Sequence, residues 1–179
     1  MRRGWLVLLI VAWSLCAGSP SSAAESASVV STFGPFKLLG DGHPCLDVGI
    51  GSFDILNKGK KRSRAGRIEL RIGRKMAFVG PALGVIANEE GGSFGYAGIY
   101  ADLAVGKFVL TPVLGVGAYR QGNSIDLGGT IEFRESLELS YPLSDAWRAG
   151  LAFAHVSNGG LHPGNPGQQD LFLTFACGF

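Results

Sequence analysis

Near the C-terminus, the stretch AHVSNGGLHPGNPGQQDLFLTF at 154–175 holds residues whose types and spacing suit ester cleavage. His155 and Ser157 stand two apart, Asn158 and Gly160 follow at once, and Gln169 comes fourteen residues after the histidine. A serine hydroxyl is a poor nucleophile until a neighbouring base takes its proton. On a strand, residues i and i+2 face the same way, with backbone positions about 6.5–7 Å apart, so imidazole and hydroxyl become neighbours. The Asn158 amide and the Gly160 backbone N–H are candidate donors to the oxyanion that such an attack creates. His-x-Ser alone is short enough to be two incidental residues at a strand end. The elements around it decide its meaning.

After the first 24 residues the chain shows strand periodicity almost throughout. About eight segments of alternating apolar character recur, near 45–56, 65–73, 76–88, 93–105, 108–120, 129–143, 147–158 and 169–179. The 28 glycines are spread through them rather than gathered in a linker. Short turns (GRK, VGK, SDA) follow the second, fourth and sixth segments, and longer ones (NKGKKRSR, NEEGG, RQGNSIDLGG, NGGLHPGNPGQ) follow the odd ones. An even strand count with short turns at one end and long loops at the other predicts an all-β fold, an eight-stranded antiparallel transmembrane barrel. Closure pairs every backbone polar group without water.

Parity agrees with this plan. Leu151, Phe153, His155 and Ser157 share one face of the seventh segment, and the small Gly150, Ala152 and Ala154 share the other. Bulky apolar side chains then face lipid, and small ones fill a narrow lumen. Leu171, Leu173, Phe175 and the terminal Phe179 share the outward face of the eighth segment, and a closing aromatic resembles the C-terminal signal of outer-membrane barrels.

The N-terminus fits export. Arg2 and Arg3 precede an apolar run from Trp5 to Ala17, and Ser22, Ala23 and Ala24 form a small-residue cleavage site. The run is short for a retained anchor, and Leu15 is too bulky to precede a lipid-bearing Cys16. The expected division is a signal peptide at 1–24, an N-terminal arm at 25–44, rich in glycine and proline, and the barrel at 45–179. Removing the leader leaves 14 basic against 14 acidic side chains, which excludes a global nucleic-acid footprint. His43 and His162, each beside a proline, have no metal-ligand spacing and read as loop residues. Cys45 and Cys177 fall at the same end of neighbouring strands in a closed barrel, where an oxidising compartment allows a bridge, but their parities oppose one.

Orientation gives the His-x-Ser pair a substrate. With the N-terminus inside, His155 and Ser157 lie near the outer end of the seventh strand and face lipid. A polar pair is costly there unless the substrate is itself a lipid of the outer leaflet. HVSNGGL at 155–161, the NPG that follows, and IEFRESLELSY at 131–141 resemble the PagL family of lipid A 3-O-deacylases; LDVGIGSFDIL and RIELRIG match more loosely. The resemblance covers most of 45–179 and implies an eight-stranded outer-membrane barrel with no metal or cofactor. It implies Ser157 as nucleophile, His155 as base, Asn158 and the Gly160 backbone as oxyanion hole, and lipid A or lipopolysaccharide as substrate. A homodimer is compatible with it.

One position departs. The family's glutamate, which orients the histidine, falls at Gln169. An amide can accept the imidazole N–H but cannot stabilise imidazolium by charge; in the serine-protease template the acid-to-amide change costs about 10⁴ in rate. Reduced activity is the expectation, and a non-catalytic lipid-binding or structural barrel is the alternative. Asp170 points inward by parity. Glu135 shares the apolar face of Phe133, Leu137 and Leu139 and falls nearly opposite His155 when the sixth and seventh segments pair, with His155 or Arg134 as its partner. In the first outer loop, Lys60, Lys61 and Arg62 belong to an acid-free run suited to lipid phosphates.

Overall fold

The computed structural model describes residues 27–56 and 62–179. The leader and the lysines Lys60 and Lys61 lie outside the described residues. Ten strands run among them: β1 (Val29–Phe33), β2 (Phe36–Leu39), β3 (Cys45–Phe53), β4 (Ser63–Arg71), β5 (Val79–Asn88), β6 (Ser93–Val105), β7 (Phe108–Arg120), β8 (Ile131–Pro142), β9 (Trp147–Ser157) and β10 (Gln168–Gly178). From β3 onward each strand pairs antiparallel with the next, and β10 pairs back to β3, closing an eight-stranded barrel.

Strict alternation makes these strands. Along β8 the outward residues Ile131, Phe133, Glu135, Leu137 and Leu139 are exposed, and the intervening Glu132, Arg134, Ser136, Glu138 and Ser140 are buried. Ile50, Leu83, Ile99, Leu114, Leu151 and Leu173 continue the exposed apolar belt around the barrel. Such a belt is stable against acyl chains and unstable against water, as an outer-membrane barrel requires.

The lumen is more ionic than the expectation of small residues allowed. Ala152 and Ala154 on β9 are buried and small, as the parity of that strand requires. That space is taken by long side chains from the other strands. Arg67 bonds Asp47, and also Glu138 at 3.1 Å; Arg71 bonds Glu69 at 2.8 Å and Glu138 at 2.8 Å. Arg134 holds Asp170 through two hydrogen bonds of 2.6 and 3.2 Å. Pairing and hydrogen bonding offset the cost of burying these charges, and small residues on one wall leave room for the pairs.

The connections differ from the predicted alternation in two places. The inner β4–β5 connection spans 72–78, longer than the predicted GRK, and is tied by a Met76–Val79 bridge. The outer β5–β6 connection, 89–92, is only four residues long. The outer connections 121–130 and 158–167 are each ten residues long. These two loops touch closely: a Cβ on Gly128 would stand 1.9 Å from the Gly164 carbonyl oxygen.

The described part of the N-terminal arm is a hairpin. β2 pairs with the inner end of β6, and Lys75 fastens the chain beside it by donating to the Leu39 carbonyl and to Asp102. It roofs a cavity of about 420 Å³ at the inner mouth, lined in part by Cys45, Arg71 and Arg148. No disulfide joins Cys45 to Cys177. Cys45 is opposite Gly178, and Cys177 is opposite Leu46, so successive side chains leave on opposite faces.

Candidate active site

β9 carries His155 and Ser157 to the outer end of the barrel, both half-buried on the lipid-facing side. The neighbouring ladders set a row across three strands. Glu135 on β8 and Gln169 on β10 are each directly opposite His155. Gln169 Nε2 lies 3.0 Å from His155 Nδ1. As placed, the amide donates to Nδ1; rotated by half a turn, its Oε1 accepts an Nδ1–H and leaves Nε2 free to take a proton. Ser157 is opposite Phe133, one rung further out. No hydrogen bond joins it to His155 among the described residues, and such bonds commonly tighten only when substrate is bound.

The loop after Ser157 owes its shape to glycines. Gly159, Gly160 and Gly167 adopt φ of 63°, 84° and 63°, a region that other residues enter at a cost. At Gly167 space is also decisive, because a Cβ there would come within 2.7 Å of His155 Cε1. The loop closes against the imidazole edge only with glycine at this position.

The predicted oxyanion donors are engaged in hydrogen bonds within the outer loops. Asn158 continues the alternation of β9 and turns inward, fully buried, on the face opposite Ser157. Its Nδ2 donates to Leu127 O at 2.9 Å and to Gly164 O at 2.6 Å, engaging both amide hydrogens. Its Oδ1 accepts the Gly160 N–H at 2.9 Å, so that donor too is engaged. Asn158 is thus a fastener between the two large outer loops. Asn165, which sequence reasoning passed over, comes to the backbone just after Ser157. Its Oδ1 accepts the N–H of Asn158, the residue after Ser157, at 3.1 Å, and among the described residues no hydrogen bond uses its Nδ2. The Asn-Pro-Gly at 165–167 was the available signal, since it is the turn that folds the loop back onto the end of β9.

The other predicted residues spread around the rim. Asp170 points inward to Arg134, so neither is part of the lipid-facing row. Arg134 is likewise no partner for Glu135, which is exposed. Arg62 is exposed at the outer end of β4, separated from β9 by β3 and β10. His162 packs between the large loops; a Cβ on Gly129 would lie 2.0 Å from its Cδ2. Among the described residues no group of three or more His, Cys, Asp or Glu side chains could hold a metal ion.

Comparison with known proteins bears on this geometry. The barrel is similar to a crystal structure of the outer membrane enzyme PagL, with TM-score 0.59 and 14% identity over 75% of this chain and 99% of that one. It is also similar to a structure from the de novo design of transmembrane β-barrels, with TM-score 0.56 and 12% identity over 79% and 99%. At these identities the likeness is one of fold. No curated protein sequence matches the chain. A family model described as lipid A 3-O-deacylase (PagL) matches residues 65–176, which include β8, β9, the loop 158–167 and most of β10. With that match over more than half its length, the chain belongs to the PagL family of lipid A 3-O-deacylases.

Proposed function

We propose that this protein is an outer-membrane serine esterase that removes the 3-O-linked acyl chain of lipid A. The observation that carries the reading is the lipid-facing contact of Gln169 with His155 Nδ1, two residues before an outward serine. Ser157 Oγ attacks the ester carbonyl as His155 Nε2 takes its proton. The resulting oxyanion meets the Asn165 amide, and the Gly160 N–H can join only by leaving Asn158 Oδ1. The imidazolium returns the proton to the departing sugar 3-oxygen. Water, deprotonated by His155, then releases the fatty acid from Ser157 and restores the hydroxyl. The site opens sideways onto the membrane, so lipid A reaches it from the outer leaflet without leaving the bilayer. Arg62, with Lys60 and Lys61, attracts its phosphates to the rim. Assembly as a homodimer is compatible with this reading, and sedimentation in detergent measures it.

A second reading, a non-catalytic lipid-binding barrel, is favoured by one observation. Gln169 brings no charge to the histidine. Mass spectrometry of lipid A from cells with and without the protein separates the two. Loss of one 3-hydroxyacyl chain, absent with Ser157→Ala, supports the esterase. An unchanged spectrum at high expression of folded protein rejects it.

A further inference from the structure

We infer that Glu135 supplies the negative charge that Gln169 cannot, so that His155 is supported electrostatically from β8 rather than from β10. The inference rests on the esterase reading above. In the β8–β9 ladder Glu135 is directly opposite His155, the same relation that Gln169 has in the β9–β10 ladder. Directly opposed residues hold their Cβ atoms about 4.5–5.5 Å apart. Parity places both side chains on the lipid-facing side.

Glu135 is out of keeping with its surroundings. Leu114 is opposite it on β7, and Phe133 and Leu137 flank it along β8. A carboxylate in such a row is costly without a partner. Among the described residues no ion pair or hydrogen bond engages it, and the adjacent Arg134 is turned into the lumen against Asp170. The remaining group within reach that can become positive is His155.

The imidazole is faced from β8 by Glu135, with Phe133 and Leu137 beside it. From β10 it is faced by Gln169 and Leu171, from its own strand by Ser157, and from the outer loop by Gly167. Glu135 is the anion of that set. When Ser157 gives up its proton, positive charge appears on His155 a few ångströms from a carboxylate, at an interface where screening is weak. Gln169 keeps the role of holding Nδ1. The two tasks that one glutamate performs in the family pattern are divided here between an amide on one side and an acid on the other. Glu135 touches no reacting atom. It is a positioning residue that acts through His155.

The test moves the charge between strands. Glu135→Gln, Gln169→Glu and the double variant are compared with the parent and with Ser157→Ala, using purified lipid A in mixed micelles. Glu135→Gln is expected to lower kcat on the order of 10–100-fold with little change in KM. The double variant should recover most of the loss, which a merely structural role for Glu135 would not permit. If Glu135→Gln keeps the parent's kcat while Ser157→Ala is inactive, the inference is overturned and the esterase reading stands. A parent that is inactive until Gln169→Glu is introduced also overturns it. If Ser157→Ala retains activity, the esterase reading itself falls, and the inference with it.

Discussion

The two faces of β8, β9 and β10 treat charge in opposite ways. On the lumenal face, Arg134 and Asp170 meet in a paired fork, and Glu138 joins Asp47 of β3 and Arg67, Glu69 and Arg71 of β4 in a continuous network. One residue away along the same strands, the lipid face carries Glu135, His155, Ser157 and Gln169, and among the described residues a single hydrogen bond joins two of them, Gln169 and His155. A packed interior that excludes water holds ionic groups at least cost when they are matched, as these are; Glu132 on β8, buried with neither carboxylate oxygen hydrogen-bonded, is an exception. A lipid-facing row gains nothing in stability from polar side chains, so their presence there points to work on a substrate. The strand period of two keeps these demands apart while leaving them in adjacent residues.

Removing the chemistry should be the largest way to sharpen that contrast. Ser157→Ala and His155→Ala are each expected to lower deacylation by about 10⁴-fold or more, while the heat-modifiable gel mobility of the folded barrel stays unchanged. If either variant runs as unfolded protein, the separation of the faces is wrong.

The lumen should respond in the reverse sense. Arg134→Ala leaves Asp170 as an uncompensated buried charge and should destabilise the barrel by about 3–5 kcal/mol, measured as urea unfolding from lipid vesicles. Replacing both partners together, as Arg134→Met with Asp170→Leu, should be milder. Activity per folded molecule should change only a few-fold in either case. A loss comparable with that of Ser157→Ala would show that the lumenal pair reaches through the strand to the site.

Gly167→Ala tests the seam between the two. The added methyl meets His155 Cε1 on a backbone at φ 63°, so the imidazole must move; kcat should fall about tenfold with the unfolding midpoint changed little. The smallest expected effect belongs to the outer loop. Serine at Lys60, Lys61 and Arg62 together should raise KM several-fold for phosphorylated lipid A, with kcat held and the defect shrinking as salt rises. An equal loss on dephosphorylated lipid A would remove the steering role.

Strand alternation and turn composition in the sequence determined the barrel, its eight strands and the outward face of His155, Ser157, Glu135 and Gln169, because side-chain direction on a strand follows from counting by two. The same count already opposed a Cys45–Cys177 bridge. The N-terminal hairpin was not legible, since its strands are short and gain their order from pairing with β6. Nor was the ionic lumen, where complementary charges from β3, β4, β8 and β10 lie far apart in sequence and meet only on closure. The fate of Asn158 was decided the same way. Its type and its place beside Ser157 suit an oxyanion donor, but the folded loops give its amide to Leu127 and Gly164 and bring Asn165 to its own backbone N–H. Period fixes which face a residue takes. Which partner its hydrogen-bonding groups find depends on segments that only the closed barrel brings together.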